Sequence, residues 1–215
     1  MATYVLIHGA GSDSWYWHLV TPRLQQLGHK VVAVDLPCND DDAGLAEYAE
    51  VVVDAVGDHS EVILVAQSLG GFTAPLVWDR LSVELMVLVA AMTPRPGESP
   101  GEWWANTGHE FPDPFDPATV FAHDLSPGLA EESIQHVRQQ SSTPFGKPWP
   151  LDAWPNVPTR FLLCRDDRFF PAEFQRRVVR ERLGIVPDEM DSGHLPALAH
   201  PLELVERLEA YRAEL

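Results

Sequence analysis

Short apolar runs alternate with amphipathic stretches along most of this chain. Residues 3–7, 31–34, 62–66, 85–89 and 160–164 are too short for helices, are rich in Val, Ile and Leu, and predict buried strands; residues 186–190 make a sixth candidate. Between them the apolar positions change spacing. Leu45, Tyr48, Ala49, Val52, Val53 and Val56 recur at helical intervals, and residues 15–27, 72–81 and 172–183 predict further helices. Leu204, Leu208, Tyr211 and Leu215 line one face of a last helix. Pro22 interrupts the first of these segments and marks a candidate first turn, with Gly28 as the C-cap. Strand–helix alternation with apolar strands predicts an α/β fold, a mostly parallel central sheet with helices on both faces. In such sheets functional sites form at the carboxyl ends of the strands.

One region breaks the rhythm. Between Thr93 and Pro158 the chain turns proline-rich and aromatic, with Trp103, Trp104, Phe111, Phe115, Phe121, Trp149 and Trp154. A loop of that length without a purpose is uncommon in a compact domain. The division expected is a core of residues 1–92 and 159–215 with a small cap, residues 93–158, inserted after the strand at 85–89; residues 127–140 are its helix candidate. The aromatic residues either roof an apolar pocket or form the insertion's own small core.

Composition narrows the function classes. A length of 215 residues suits one domain, and a net charge of −17, from 15 basic and 32 acidic residues, argues against nucleic acid and against anionic membrane surfaces. Cys38 and Cys164 stand in no C-x-x-C pattern and read as buried thiols rather than a disulfide framework. No basic stretch followed by an apolar segment opens the chain, and no apolar run approaches the ~20 residues that span a bilayer. The expectation is a soluble cytoplasmic protein; a homodimer is left open.

The chemistry concentrates at the end of the strand at 62–66. Ala66-Gln67-Ser68-Leu69-Gly70-Gly71 places a serine and two glycines between a buried strand and a helical segment, the context of a nucleophile elbow. The motif is Gly-x-Ser-x-Gly, and Ala66 replaces its first glycine. An ordinary strand-to-helix turn with a surface serine would have the same outline, so the other parts decide. A serine hydroxyl needs a base, a group to orient that base, and donors for the oxyanion. His194, in Asp191-Ser192-Gly193-His194-Leu195-Pro196 after the last strand, is the candidate base. Of the other histidines, His18, His29, His59, His123, His136 and His200 have no such support. Asp166 and Asp167 both follow the strand at 160–164; the spacing of such turns favours Asp167, with Asp166 as the alternative. The oxyanion donors expected are the backbone N–H groups of Leu69 and of Ala10, the latter in the His8-Gly9-Ala10-Gly11 loop after the first strand. That loop lacks the Gly-Lys-Ser/Thr and the glycine spacing of nucleotide loops, and His8 reads as a turn-stabilising residue. The chain order Ser68, Asp167, His194 is the one found on α/β-hydrolase sheets.

These residues carry a resemblance. His8-Gly9-Ala10-Gly11 with Trp15-Tyr16-Trp17, then Gln67-Ser68-Leu69-Gly70-Gly71, then Arg165-Asp166-Asp167-Arg168 running into Pro171-Ala172-Glu173-Phe174-Gln175-Arg176, and finally Gly193-His194, resemble the α/β-hydrolase superfamily. Within it they are similar to the branch of plant methylesterases and hydroxynitrile lyases with their bacterial relatives. The acid followed by Pro-x-Glu-Phe-Gln is the most branch-specific piece, and it supports Asp167. The resemblance implies a serine hydrolase without metal or organic cofactor, acting on a small-molecule ester. Lyases of the branch carry a threonine in the first oxyanion loop and a lysine directly after the catalytic histidine. Gly9 and Leu195 stand at those positions here, which implies an esterase. The alternatives are a lyase or C–C hydrolase using the same three residues, and a non-catalytic small-molecule-binding homologue.

Overall fold

The structure, a computed structural model, describes residues 1–215. Its centre is a six-stranded sheet in the order β2-β1-β3-β4-β5-β6, formed by β1 (Thr3–Ile7), β2 (Lys30–Val34), β3 (Val62–Gln67), β4 (Val83–Val89), β5 (Thr159–Cys164) and β6 (Asp188–Met190). Every neighbouring pair is parallel. β1 and β3, each flanked by strands on both sides, are buried at every residue, which explains their unbroken apolar runs. Strand periodicity still sorts their side chains. Tyr4, Leu6, Ile63, Val65, Val87 and Val89 face one core, whereas Val5, Ile7, Leu64, Ala66 and Leu88 face the other.

Helices close both faces. On the first lie Leu24 of α1 (Thr21–Gln26) and Leu204, Leu208 and Tyr211 of the C-terminal helix. On the second lie Tyr48, Ala49, Val52 and Val56 of α2 (Leu45–Val56), the predicted stripe. The chain leaves β1 toward β2 and then crosses to β3 on the opposite side. The loops after β1 and β3 therefore diverge at their carboxyl ends, and a crevice opens between them.

Several elements differ from the sequence expectation. Residues 15–27 form two pieces, a 3₁₀ turn Ser14–Trp17 capped by Asp13 and then α1, because Pro22 has no N–H to donate and fits only a first turn. Past the serine, α3 (Gly70–Thr73) gives way at Pro75 to a 3₁₀ turn, Ala74–Val77, instead of running to residue 81. β4 begins earlier than residue 85, at Val83. β6 begins only after Pro187, leaving Val186 81% exposed. The last helix ends at Ala213 and Leu215 lies outside its apolar face.

β4 and β5 are paired neighbours, and the whole of residues 90–158 is inserted between them. The insertion carries α4 (Pro100–Thr107), α5 (Pro117–Phe121) and α6 (Pro127–Gln135). α6 stops short of the expected residue 140, because Arg138 and Ser141 give their N–H groups to Gly11 and Cys38 of the core. Trp103 and Trp149 are buried with Leu69, Phe72, Phe169 and Phe170, so the insertion shares a core with the serine turn rather than building its own. A buried ion pair fastens it from the other side. Arg182 of α7 (Ala172–Leu183) holds Glu98 and the Thr93 carbonyl, and the two charged side chains are 1% and 4% exposed. The remaining helices are α8 (Pro196–Ala199) and α9 (Pro201–Ala213). None of the helices is long and apolar enough to cross a membrane.

Candidate active site

Ser68 directly follows β3 with φ 52°, in the left-handed region that costs a non-glycine residue roughly 1–3 kcal/mol. Its carbonyl accepts from Gly71 N–H at 3.1 Å and Met92 N–H at 2.9 Å, which fixes the turn. The turn is tightly packed at its glycines. A Cβ on Gly71 would lie 2.0 Å from the Met92 carbonyl oxygen, and one on Gly70 would lie 3.1 Å from those of Ile7 and His8. Ala66 sits inside the sheet, fully buried and paired with Ile7 and Leu88, so its methyl group occupies core space rather than the turn.

The loop after β1 is pressed against this turn. A Cβ on Gly9 would come within 2.5 Å of Gln67 Oε1 and 2.8 Å of Ser68 Cβ. His8 holds the loop from beneath. Leu36 N–H donates to its Nε2 at 3.1 Å, so Nδ1 carries the proton and donates to the Gly9 carbonyl at 2.8 Å. Burial lowers the pKa of His8, consistent with a neutral ring fixed in one tautomer. The predicted turn-stabilising role is the one it fills. Ala10 and Leu69 both line the cavity beside Ser68, and neither backbone N–H donates to a carbonyl of the chain.

Asp167 and His194 are brought together in the interior. Asp167 Oδ2 lies 2.7 Å from His194 Nδ1, and Oδ1 of the same carboxylate accepts from Phe169 N–H and Phe170 N–H, both at 2.8 Å. Asp167 is 4% and His194 3% exposed, whereas Asp166 points to solvent. Nδ1 being engaged, Nε2 is the nitrogen His194 has left to offer. Gln67, the variable residue of the elbow, donates from Nε2 to the His194 carbonyl at 3.1 Å and ties the histidine loop to the serine strand. The Ser68 hydroxyl makes no hydrogen bond to another side chain, His194 included, and faces the cavity that both residues line.

Ser68 and His194 line one cavity of about 570 Å³, within the roughly 300–1,000 Å³ typical of small-molecule sites. Of its 25 lining residues 16 are hydrophobic, and none is Lys, Arg, Asp or Glu. Phe121 of the insertion lies 5.3 Å from the His194 ring, and Phe169 and Phe170 contact that ring edge-on at 5.4 and 5.1 Å. Trp104 and Phe145 also line the cavity, as the pocket reading expected, whereas Trp103 and Trp149 are buried in a core shared with Leu69, Phe72 and Phe170 instead of a separate core of the insertion.

Sequence reasoning passed over several residues here. Tyr16 lines the cavity and reaches Ala197 N–H with its hydroxyl, at 3.5 Å, while burial raises its pKa. His136, set aside for lack of support, stacks on Trp15 at 4.2 Å between centroids and meets Asp13 at 3.1 Å. Its only local signal was its position inside the predicted helix of the insertion, residues 127–140. Cys38 and Cys164 are free, buried thiols.

Comparison with known proteins finds relatives of the whole chain. The model of the alpha/beta hydrolase family matches residues 4–208. The chain is 24% identical over 250 residues to norfluorocurarine synthase 1 from a Strychnos species, across 96% of this chain and 93% of that protein. It is 27% identical over 240 residues to methylesterase 7 of Arabidopsis thaliana, across 94% of this chain and 92% of the relative. The crystal structure of polyneuridine aldehyde esterase superposes with a TM-score of 0.83 at 22% identity, covering 99% of both chains.

Proposed function

This chain belongs to the alpha/beta hydrolase family as a carboxylesterase-type member, and from that premise we propose that it cleaves a neutral carboxylic ester of a small, largely apolar substrate through an acyl-enzyme on Ser68. The observation that carries the reading is the Asp167–His194 hydrogen bond, made at the wall of the apolar cavity into which Ser68 opens.

The steps follow from the groups present. Ser68 Oγ attacks the ester carbonyl while His194 Nε2 takes its proton. Asp167 keeps Nδ1–H pointed away from the reaction and stabilises the imidazolium that forms. The carbonyl oxygen, now an anion, lies against the Ala10 and Leu69 N–H groups; one such donor is worth about 10²–10³ in rate. Collapse of the tetrahedral intermediate breaks the bond to the alkoxy oxygen, which leaves with the proton from His194. Water then attacks the acyl carbon, His194 takes its proton, and the acid departs as Ser68 regains its hydrogen. The reaction so written draws on no metal or organic cofactor.

Residues 93–158 act as the cap, and Phe121, Trp104 and Phe145 provide the apolar surface for the substrate. Hydroxynitrile lyase chemistry is disfavoured by the same residues that distinguished it in sequence. Gly9 has no space for a side chain at all, and Leu195 brings an apolar group to the cavity where a departing cyanide would need a cation.

A fluorophosphonate probe tests the reading. The expected result is covalent labelling of Ser68, with Ser68→Ala folded, unlabelled and inactive on p-nitrophenyl butyrate. Undiminished hydrolysis by Ser68→Ala would overturn it.

A further inference from the structure

We propose that residues 124–140 form a brace that holds the histidine loop and the oxyanion loop in register, with Asp124 and Gln140 as its positioning residues. The proposal rests on the reading of Ser68, His194 and Ala10 given above.

The brace has an anchor at each end. At the first, Asp124 Oδ2 accepts from Gly193 N–H at 2.6 Å and from the Ser192 hydroxyl at 3.4 Å. Gly193 is the residue before His194. The fit is close: a Cβ on Gly193 would lie 2.8 Å from both Asp124 Oδ1 and His123 Nε2, two buried atoms that make no hydrogen bond. At the second anchor, Gln140 Oε1 accepts from Gly11 N–H at 3.0 Å, and Arg138 N–H donates to the Gly11 carbonyl at 2.9 Å. Gly11 follows Ala10 and adopts φ +62°, with the Arg138 carbonyl 3.0 Å from where a Cβ would stand. Gln140 is itself fixed, since its amide donates to Tyr48 Oη at 3.1 Å and to the Ser141 carbonyl at 3.0 Å.

Between the anchors runs α6, which buries none of its own residues, although Ala130, Ser133 and Ile134 line the cavity. Leu129 of the helix packs on the first core and His136, just past it, stacks on Trp15, but the two anchors are the contacts that reach the histidine loop and the loop of Ala10. The same two contacts then fix the backbone on either side of the reacting centre, one next to the base and one next to an oxyanion donor. Displacing either backbone misplaces a catalytic group without removing it. A misplacement near 1 Å costs about a hundredfold in rate.

The test compares wild type, Asp124→Ala, Asp124→Asn and Gln140→Met, using p-nitrophenyl butyrate turnover and fluorophosphonate labelling. Asn keeps an acceptor for Gly193 N–H, and Met keeps the length of Gln140 without its acceptor. The expected result is a fall of about 10- to 100-fold in kcat and in labelling rate for Asp124→Ala and Gln140→Met, at unchanged KM, with Asp124→Asn close to wild type. Wild-type kcat in either impaired design would overturn the brace, and so would Asp124→Asn as slow as Asp124→Ala. Failure of the wild-type protein itself to label at Ser68 would instead remove the hydrolase reading on which the brace stands.

Discussion

The carboxylate of Asp167 bridges the His194 ring, 2.7 Å from Nδ1, and two backbone amides of its own turn, those of Phe169 and Phe170. One oxygen is spent on holding the acid still and the other on holding the base. Asp167→Asn would present either a donor or a weaker acceptor to Nδ1 and disturb the tautomer that leaves Nε2 free. We expect a fall of about 10³–10⁴-fold in kcat, by analogy with the serine-protease aspartate. Asp166→Asn, on the exposed side of the same turn, should leave steady-state kinetics unchanged. Equal losses in both variants would place the orienting acid elsewhere.

Gly9 is the tightest point between the first loop and the serine turn. Gly9→Ala puts a methyl group against Gln67 Oε1 and Ser68 Cβ, so the two loops must part. Overpacking of this kind costs roughly 1–3 kcal/mol, and here it also displaces the Ala10 amide. Thermal melting should register the first effect, and turnover a loss larger than stability explains. Gly128→Ala is the contrasting case: it lies in α6 with open space around it, so helix propensity alone should make it neutral or slightly stabilising.

Glu98 and Arg182 are both nearly inaccessible, so removing one strands a charge in the interior. Glu98→Ala should lower unfolding free energy by about 3–5 kcal/mol, read from urea midpoints. Glu98→Leu combined with Arg182→Met should recover much of that loss, because the cost lies in the unpaired ion rather than in the absence of the pair. Glu98 also accepts from Asn106 at 2.9 Å and Arg95 N–H at 3.2 Å, so the double variant will not be fully neutral.

His8 makes stability depend on pH in a definite direction. Its folded pKa lies below the unfolded value of about 6.5 because burial opposes the charged ring. Below that value the unfolded chain binds a proton that the native chain refuses, so stability falls as pH falls and is complete above it. His109, half-buried and shifted the same way, contributes with the same sign. Urea titrations from about pH 5 to 7.5 should find a shallower dependence in His8→Gln than in wild type. An identical slope would mean that His8 titrates normally.

The strands and the serine turn were readable because their signals are local. A fully buried parallel strand is apolar along most of its length, and the turn at Ser68 has no space for a Cβ on Gly71. Helix limits were less readable where a proline or a tertiary bond decided them, as at Pro22, Pro75 and Arg138. Asp124, Gln140 and Gln67 had no local signal. Their partners Gly193, Gly11 and the His194 carbonyl are far away along the chain, and nothing in their own neighbourhood records that contact.

The absence of lysine and arginine from the cavity wall bears on how the proposed catalytic cycle would end. An uncharged guest can settle against Phe121 and Trp104, but the acid left after cleavage is ionised near neutrality. No guanidinium or ammonium waits there to retain it, and the molecule around it carries a net charge of −17. On the proposed reaction, expulsion of the spent anion is thus favoured by the same wall that admitted its parent.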